Sequence, residues 1–506
     1  MAVRQIRVNL NGQPMVVPTV GISPSPQIFI AQIFVLRYTE SGNDLNDLLK
    51  EAIYLKENKK SDFLKGPVWK CIIAQALPLT IAQLVHLLYN VVDRIYLGHM
   101  GEENSLALTG VGLCFPIITL IMAFTALFGN GGVPLFSIAR GRGDDKEAEK
   151  ILSNSFSLLI LSSGILMAFC YILKTPILYL SCASPVSIVF AEEYLMIYLI
   201  GTPFSMMTTG LNGYINAQGY PKFGMVTTVL GAVANIILDA LFILCLGMGV
   251  SGAALATVIS QILSALWVLK FLSGKKAPIK INIRKLNFDF NIIKKIFKLG
   301  TSNFIMQGTN CLVQIACNST LQAQGGLALG DTYVAIMTVL NSVREICMLP
   351  VNGIVSGSQP VVSYNYGAKM NERVKDGIKF NTIVGFVYTL FAWIIIVAFP
   401  KFWFDVFSDD PNLASLGTES LIIYFFGFVF MALQFAGQST FQALGDAKHA
   451  IFFSLLRKAI IVVPLTFLLP HLGFGVNGVF LAEPVSNVIG GLACYITMRL
   501  TVYKKL

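Results

Sequence analysis

Charged residues are scarce, making up 13% of the 506-residue chain, against about 25% in soluble proteins. Beside 55% hydrophobic residues, that deficit excludes a string of ordinary soluble domains. Histidine is scarcer still, with four in the chain, and the nine cysteines form no C-x-x-C pair. A zinc site or a disulfide framework needs such spacing, so neither is expected. The thiols read as buried free side chains on apolar helices. No nucleophile–base pairing stands out, and the loops between apolar runs are short, which argues against a membrane-embedded acyl- or glycosyltransferase. Nor is a cleavable signal expected, because its three regions do not occur in order.

What the chain has in abundance is apolar length. A bilayer core needs about 20 apolar residues per helix, and such runs recur from Ile72 onward. Read between charged or turn-rich breaks, they predict spans at 71–97, 105–132, 151–173, 191–219, 222–246, 249–273, 299–322, 329–362, 379–399, 414–444, 449–470 and 476–500. Residues 1–60 contain no run of spanning length and read as an N-terminal extension without an assigned role. The remaining segments are a six-helix lobe over 61–273, an inter-lobe loop over 274–298 and a second six-helix lobe over 299–506.

The excess of ten positive charges would suggest nucleic acid if it formed one soluble face. It falls in alternate loops instead. Lys59, Lys60, Lys65 and Lys70 precede the first span, and Arg140, Arg142, Lys146 and Lys150 follow the second. Lys275, Lys276, Lys280, Arg284, Lys285, Lys294, Lys295 and Lys298 crowd the central loop, and Lys369, Arg373 and Lys375 follow the eighth span. The other loops carry Glu102, Glu103, Asp331, Asp405, Asp409 and Asp410. The positive-inside rule therefore puts both termini and the central loop in the cytoplasm of a multi-pass inner-membrane protein.

The halves repeat. Pro134, Ser137 and Gly141 recur 226 residues on as Pro360, Ser363 and Gly367. Ala217, Gly219 and Lys222 recur as Ala443, Gly445 and Lys448, and Gly249, Val250 and Gly252 as Gly475, Val476 and Gly478. One offset across several helices marks an internal duplication. Six spans per copy is an even number, so both copies face the same way around an axis along the membrane normal. The expected fold is all-α, with about twelve transmembrane helices in two six-helix lobes related by pseudo-twofold symmetry and a cavity between them.

Polar groups within spans are costly, so each is a candidate site residue. His86, Tyr89, Asn90 and Asp93 share one helical face by their spacing, as do Asn235 and Asp239. Asp93, Asp239 and Thr257 each lie roughly four to eight residues from the outer end of a helix, or about 6–12 Å. Two carboxylates, an amide and a hydroxyl at one level suit a hard cation, or a shared proton. The second copy has Asn318 for Asp93, Leu465 for Asp239 and Glu483 for Thr257, so paired acids belong to the first lobe alone. Glu483 is expected either to pair with Arg457 or Lys458 in the adjacent span, or to meet substrate. Gln307, Gln314, Gln434 and Gln438 add neutral polar groups that either bond between helices or line the cavity. His86 reads as a supporting group.

At this point the residues support a resemblance. Leu77 and Pro78, the run Tyr89, Asn90 and Asp93, Gly98, and Asn235 with Asp239 stand in the first half. Gln359, Pro360, Tyr364, Asn365, Gly367 and Lys369, then Phe441, Gln442 and Gly445, stand in the second. From about Asp62 to its end the chain resembles the multidrug and toxic compound extrusion (MATE) family of bacterial exporters. The resemblance implies two six-helix lobes, a V-shaped cavity and antiport against sodium or protons. Carried over by position, the family's first-lobe cation site falls on Asp93, Asn235, Asp239 and Thr257, with the Ala253 carbonyl a further ligand. Where some members have an acid in the seventh span, this chain has Gln307 and Gln314.

The expected function is sodium- or proton-coupled export of organic, cationic amphipathic compounds by alternating access. Its partners are then those small molecules and the bilayer, with neither nucleic acid nor an obligate protein partner, and no cofactor besides the coupling ion. The rival is a flippase for lipid-linked precursors, which several Arg or Lys residues facing the cavity would favour. The spans hold few basic residues outside Arg344, Arg457 and Lys458. A major-facilitator exporter also has twelve spans, but its basic, glycine-containing loop after the second span differs from Arg140 to Asp145.

Overall fold

The computed structural model describes residues 9–10, 13–14, 62–97, 110–180, 187–282, 286–407 and 411–506. The chain forms two compact units, Met1–Glu57 and Asn58–Leu506. In the first, strands β1 (Asn9–Leu10) and β2 (Gln13–Pro14) pair antiparallel, with Leu10 opposite Gln13. The second unit is helical. Its first-half helices are α1 (Val68–Leu97), α2 (Phe115–Thr125), α3 (Val133–Gly141), α4 (Asp145–Leu180), α5 (Ser187–Ala217), α6 (Pro221–Asp239) and α7 (Gly249–Ser273). The second half has α8 (Phe290–Gly367), α9 (Asn371–Ala398), α10 (Pro400–Phe407), α11 (Pro411–Phe425), α12 (Met431–Ala443), α13 (Ala447–Leu455), α14 (Val463–Leu469) and α15 (Gly475–Met498).

Eight stretches of the described residues are long and apolar enough to cross a bilayer, or nine counting the pair around 426–427, bent by 41°. Two of the long helical stretches hold more than one crossing. Helix α8 is broken at Gly326, whose φ of 58° and ψ of −156° no helix allows. The 57-residue stretch Ala447–Tyr503 would be about 85 Å long at 1.5 Å per residue, more than twice a bilayer core. It breaks at Gly473 and Gly475, both with positive φ. With α5 of crossing length, these elements make up the twelve-helix, two-lobe arrangement.

Several helices outrun their predicted spans. The second continues past 132 through a π-helical turn at Ala126–Asn130 to Gly141, the third begins at Asp145 and the eighth runs on to Gly367. Arg140, Lys146 and Lys150 thus sit on helices rather than in a loop, as do Lys294, Lys295 and Lys298 in the first turns of α8. That helix starts where Asp289 caps it, its side chain accepting from the amides of Asn291 and Ile292. The residues before it are tied to the first half. The Ile279 amide donates to Gln218 Oε1, Asn287 to Ser157 Oγ and Asp289 to Asn154 Oδ1.

The duplication is written in the backbone. Positive φ occurs at Gly143 and Lys369, Gly219 and Gly445, Gly247 and Gly473, and Gly249 and Gly475, each pair 226 residues apart. Side chains cap equivalent helix ends: Arg140 Nη1 donates to the Ala217 carbonyl, and Ser363 Oγ to that of Ala443. At the end of the bundle bearing Arg140 and Lys369, the two halves meet reciprocally. A Cβ on Gly141 would lie 2.0 Å from the Tyr364 carbonyl oxygen, and one on Gly367 2.1 Å from that of Ile138. Ile138 and Tyr364 are themselves repeat partners. Only glycine permits that approach.

Each half has its own apolar core, one around Phe136, Phe156 and Tyr214 and the other around Phe404, Phe425 and Phe428. The outer surface is apolar as well, with Ile172, Ile315 and Phe391 exposed, as lipid contact requires. Polar residues point inward. Ser137, Ser157 and Ser260 bond back to carbonyls four residues earlier, which satisfies a hydroxyl inside an apolar bundle. The expectation of buried thiols holds for Cys114, Cys170, Cys317, Cys347 and Cys494 but not for Cys245 and Cys311, which are exposed. An exposed site facing lipid suits a small apolar thiol no less than a core does.

Candidate functional site

Two cavities enter the described bundle. The smaller, of about 280 Å³, lies in the first half between α1, α5, α6 and α7 and is lined by His86, Tyr89, Tyr194, Tyr198, Asn235 and Thr257 among others. Asn235 Nδ2 donates to Thr257 Oγ1 over 3.5 Å. Asn235 is 3% exposed, and its Oδ1 accepts no hydrogen bond among the described residues. His86 and Tyr89 meet edge to face at 4.9 Å, three residues apart on α1 as their spacing required. Asp239 is one turn beyond Asn235, fully buried as the last residue of α6. The backbone then opens into a π-helical turn at Ala240–Cys245.

Placement differs among the remaining candidates. Ala253 does not line the cavity. It is fully buried in the first-half core, one turn before Thr257 on α7. Asp93 and Asn90 belong to α1, but their side chains lie outside the described residues, so the expected meeting of Asp93 with Asp239 does too.

The larger cavity, of about 780 Å³, draws on both halves. His86, Thr209 and Thr228 line both cavities, which are therefore neighbours. Its wall is rich in amides, and these come in repeat-related pairs: Asn212 with Gln438, and Asn216 with Gln442. Thr228 and Ser454 are a third such pair. Gln434 and Gln438 both line the cavity, and Gln438 also bonds across to α13 while Gln434 bonds within α12. Gln434 donates to Gln438 at 2.9 Å, Gln438 to Ser454 at 2.5 Å, and all three line the cavity. Gln307 and Gln314 line neither of these cavities. Gln314 is exposed and Gln307 half-buried.

Glu483 is 4% exposed and holds three cations. Lys458 Nζ donates to both carboxylate oxygens at 2.9 and 3.2 Å. Arg457 Nη1 reaches Oε1 at 3.1 Å and Asn487 Oδ1 at 2.9 Å. Arg344 Nη1 reaches the same Oε1 at 3.3 Å, its guanidinium above the Tyr424 ring. The pairing with Arg457 and Lys458 was foreseen, whereas Arg344 comes from 139 residues away. Arg457 and Lys458 also line the larger cavity, as does Glu345. Basic side chains thus do reach the cavity, which the sparse basic content of the spans did not suggest.

A chain with two duplicated six-helix halves, lipid-facing outside and polar at a shared cavity, is a membrane transporter by architecture. The comparisons say which kind. The profile of the MatE family matches residues 78–241 and 308–468, one copy in each half, and the chain belongs to that family. It is 26% identical over 458 residues to the multidrug export protein MepA of Staphylococcus haemolyticus (strain JCSC1435), covering 89% of this chain and 98% of that one. To MepA of Staphylococcus aureus (strain MSSA476) it is 25% identical over 453 residues, covering 88% and 97%. Among solved structures, a multidrug resistance MATE family transporter in an outward-facing conformation superposes with a TM-score of 0.81 at 23% identity, covering 89% of this chain and all of the other. A MATE structure in complex with MaD3S gives the same TM-score, identity and coverage.

Proposed function

We propose that the chain exports organic amphipathic compounds from the cell, driven by inward flow of sodium or protons. The supporting observation is the first-half cavity, where the buried Asn235 presents an oxygen beside the Thr257 hydroxyl, one turn from the buried Asp239. Amide, hydroxyl and carboxylate oxygens are the donors a hard cation prefers. Asp93, Asn235, Asp239 and Thr257 would hold sodium, or the two acids would share a proton. Occupancy biases the two access states only through its different affinity for each. The relatives named as multidrug export proteins support export of drugs. Residues 61–273 and 299–506 are the moving lobes in this reading, with both termini in the cytoplasm. The end closed by Gly141 and Gly367 is then the cytoplasmic one.

The test is efflux from proteoliposomes with sodium and pH gradients imposed separately. Asp239→Asn and Asp93→Asn each keep the shape and remove the charge. Each single variant is expected to lose gradient-driven export at least about tenfold, and the double variant to be no worse, as a shared site requires. Parental rates in both singles would remove coupling from the first half. Single cysteines within 275–282 should label only in permeabilised cells.

A flippase for lipid-linked precursors is the second reading, favoured by Arg457 and Lys458 at the larger cavity. Uptake of a head-labelled lipid across the bilayer, without any drug efflux, would decide for it.

A further inference from the structure

Around Glu483 the charges do not balance. Arg344, Arg457 and Lys458 share that one carboxylate, and Glu345, an acid on the cavity wall, is in no ion pair among the described residues. Counting it, one positive charge remains in excess. The donors do not balance either. Among the described residues Arg457 uses Nη1 alone, for Glu483 and Asn487, which leaves Nε and Nη2 unspent there. Neither nitrogen is enclosed without a partner, because Arg457 borders open cavity space. Buried cations keep their charge at low cost only when an anion answers them. A guanidinium edge with two free N–H groups matches a planar carboxylate in two parallel hydrogen bonds.

We propose that Arg457, with Lys458 behind it, is a binding site for the carboxylate of an organic amphipath. The export reading above then extends to acids and zwitterions, beyond the cationic compounds expected from the resemblance, and the proposal rests on that reading. The cavity, about 780 Å³, is of the size that takes a drug-sized ligand. Amides such as Asn216 and Gln442 supply neutral partners on the same wall. Ser486 Oγ donates to the Arg457 carbonyl at 2.7 Å, and a Cβ on Gly490 would come within 3.3 Å of the Arg457 stem. With Nη1 tied to Glu483 and Asn487, the guanidinium is held in place before a ligand arrives, which lowers the ordering cost of binding.

The experiment compares rhodamine B, which has a free carboxylate, with its ethyl ester, by fluorescence anisotropy on purified full-length protein without any ion gradient. The parental protein is expected to bind the acid about tenfold or more tighter than the ester, as for a charge-assisted bidentate pair. In Arg457→Gln the preference should vanish while ester affinity stays as it was, so the ester also reports that the variant is folded. If that variant loses ester binding too, Arg457→Lys keeps the charge and should retain only part of the preference. Equal binding of acid and ester by the parental protein overturns the proposal whatever the variants do. So does equal binding joined to Arg457-dependent binding of dihexanoyl phosphatidic acid, which would make this a lipid-headgroup site. Failure of ion coupling leaves the acid preference intact and appears only in the gradient-driven assay, so the two failures are distinguishable.

Discussion

The same pair of helices, used twice, makes a cavity in one half and an ion cluster in the other. In the first half, Gly231 and Ala232 of α6 face Thr257 and Ser264 of α7, and all four line the smaller cavity. Their repeat partners are Arg457, Lys458, Glu483 and Gly490. A Cβ on Gly231 would come within 2.6 Å of Ser264 Oγ, whereas Gly490 receives the Arg457 stem. Glycine has changed helices. Where the first half left space, the second filled it with charge, and an interior with excess positive charge is a different chemical tool from one with excess acid. Duplication supplied the frame, and size exchange at one helix contact divided the labour.

The largest expected effect breaks the charged side. Glu483→Gln takes the shared carboxylate from the buried Lys458 and the half-buried Arg344 and Arg457, and removing one partner from such a cluster costs about 3–5 kcal/mol. The variant should lose its monodisperse peak in detergent and melt well below the parent. Restoring the first-half set with Arg457→Gly, Lys458→Ala and Glu483→Thr together should be less damaging than Glu483→Gln alone, as replacement of a whole buried ionic group often is. A triple variant worse than the single one would mean that the two halves are not exchangeable at this contact.

Next comes the symmetric contact, which the two halves share. Gly141→Ala and Gly367→Ala each push a methyl into a carbonyl about 2 Å away. Overpacking of this kind costs about 1–3 kcal/mol and is felt only when that end is closed. The expected outcome is a shift of about tenfold or more toward the state open at that end. Cross-linking yield between cysteines placed at Arg142 and Ala368 reads it. Unequal effects of the two substitutions would show that the halves do not close as equals.

Much of this frame could be read from the residues, because loops and helices nearly keep their lengths between copies and the offset of 226 carries the alignment apart from the 225 between Asp93 and Asn318. The helix faces could be read too: His86 and Tyr89 on one side of α1, Asn235 and Thr257 brought together. The cluster could be read only in part. Arg457 and Lys458 stand one span from Glu483, but Arg344 arrives on α8, and no local pattern announces a partner so distant in sequence. The Gly231–Ser264 and Arg457–Gly490 exchange was out of reach for a related reason, since complementary sizes mean something only once contact is known. What Gln307 and Gln314 meet could not be read, because position along one helix does not say what lies opposite it. The span ends were short because helices continue through the charged residues that end an apolar run, and lipid sets where apolarity stops rather than where hydrogen bonding does.

The smallest effect tests the repeat at the level of one backbone angle. Lys369 has a φ of 58° and its partner Gly143 a φ of 77°. Both close a helix in the same way. The Gly143 amide donates to the Arg140 carbonyl and the Asp144 amide to that of Ala139, while Lys369 and Met370 donate to Tyr366 and Asn365. A left-handed conformation costs an L-residue about 1–2 kcal/mol, and glycine avoids that at an entropic cost of roughly 0.5–1 kcal/mol in the unfolded chain. Lys369→Gly should therefore stabilise the protein by up to about 1 kcal/mol, and Gly143→Lys should destabilise it by a similar amount. Thermal unfolding of the pair in one detergent measures both, and the double exchange should fall near the parent, because the sites share no partner and their effects add. Destabilisation by Lys369→Gly would mean that the lysine side chain, exposed at this helix end, contributes more through its charge beside the last carbonyls than its backbone loses.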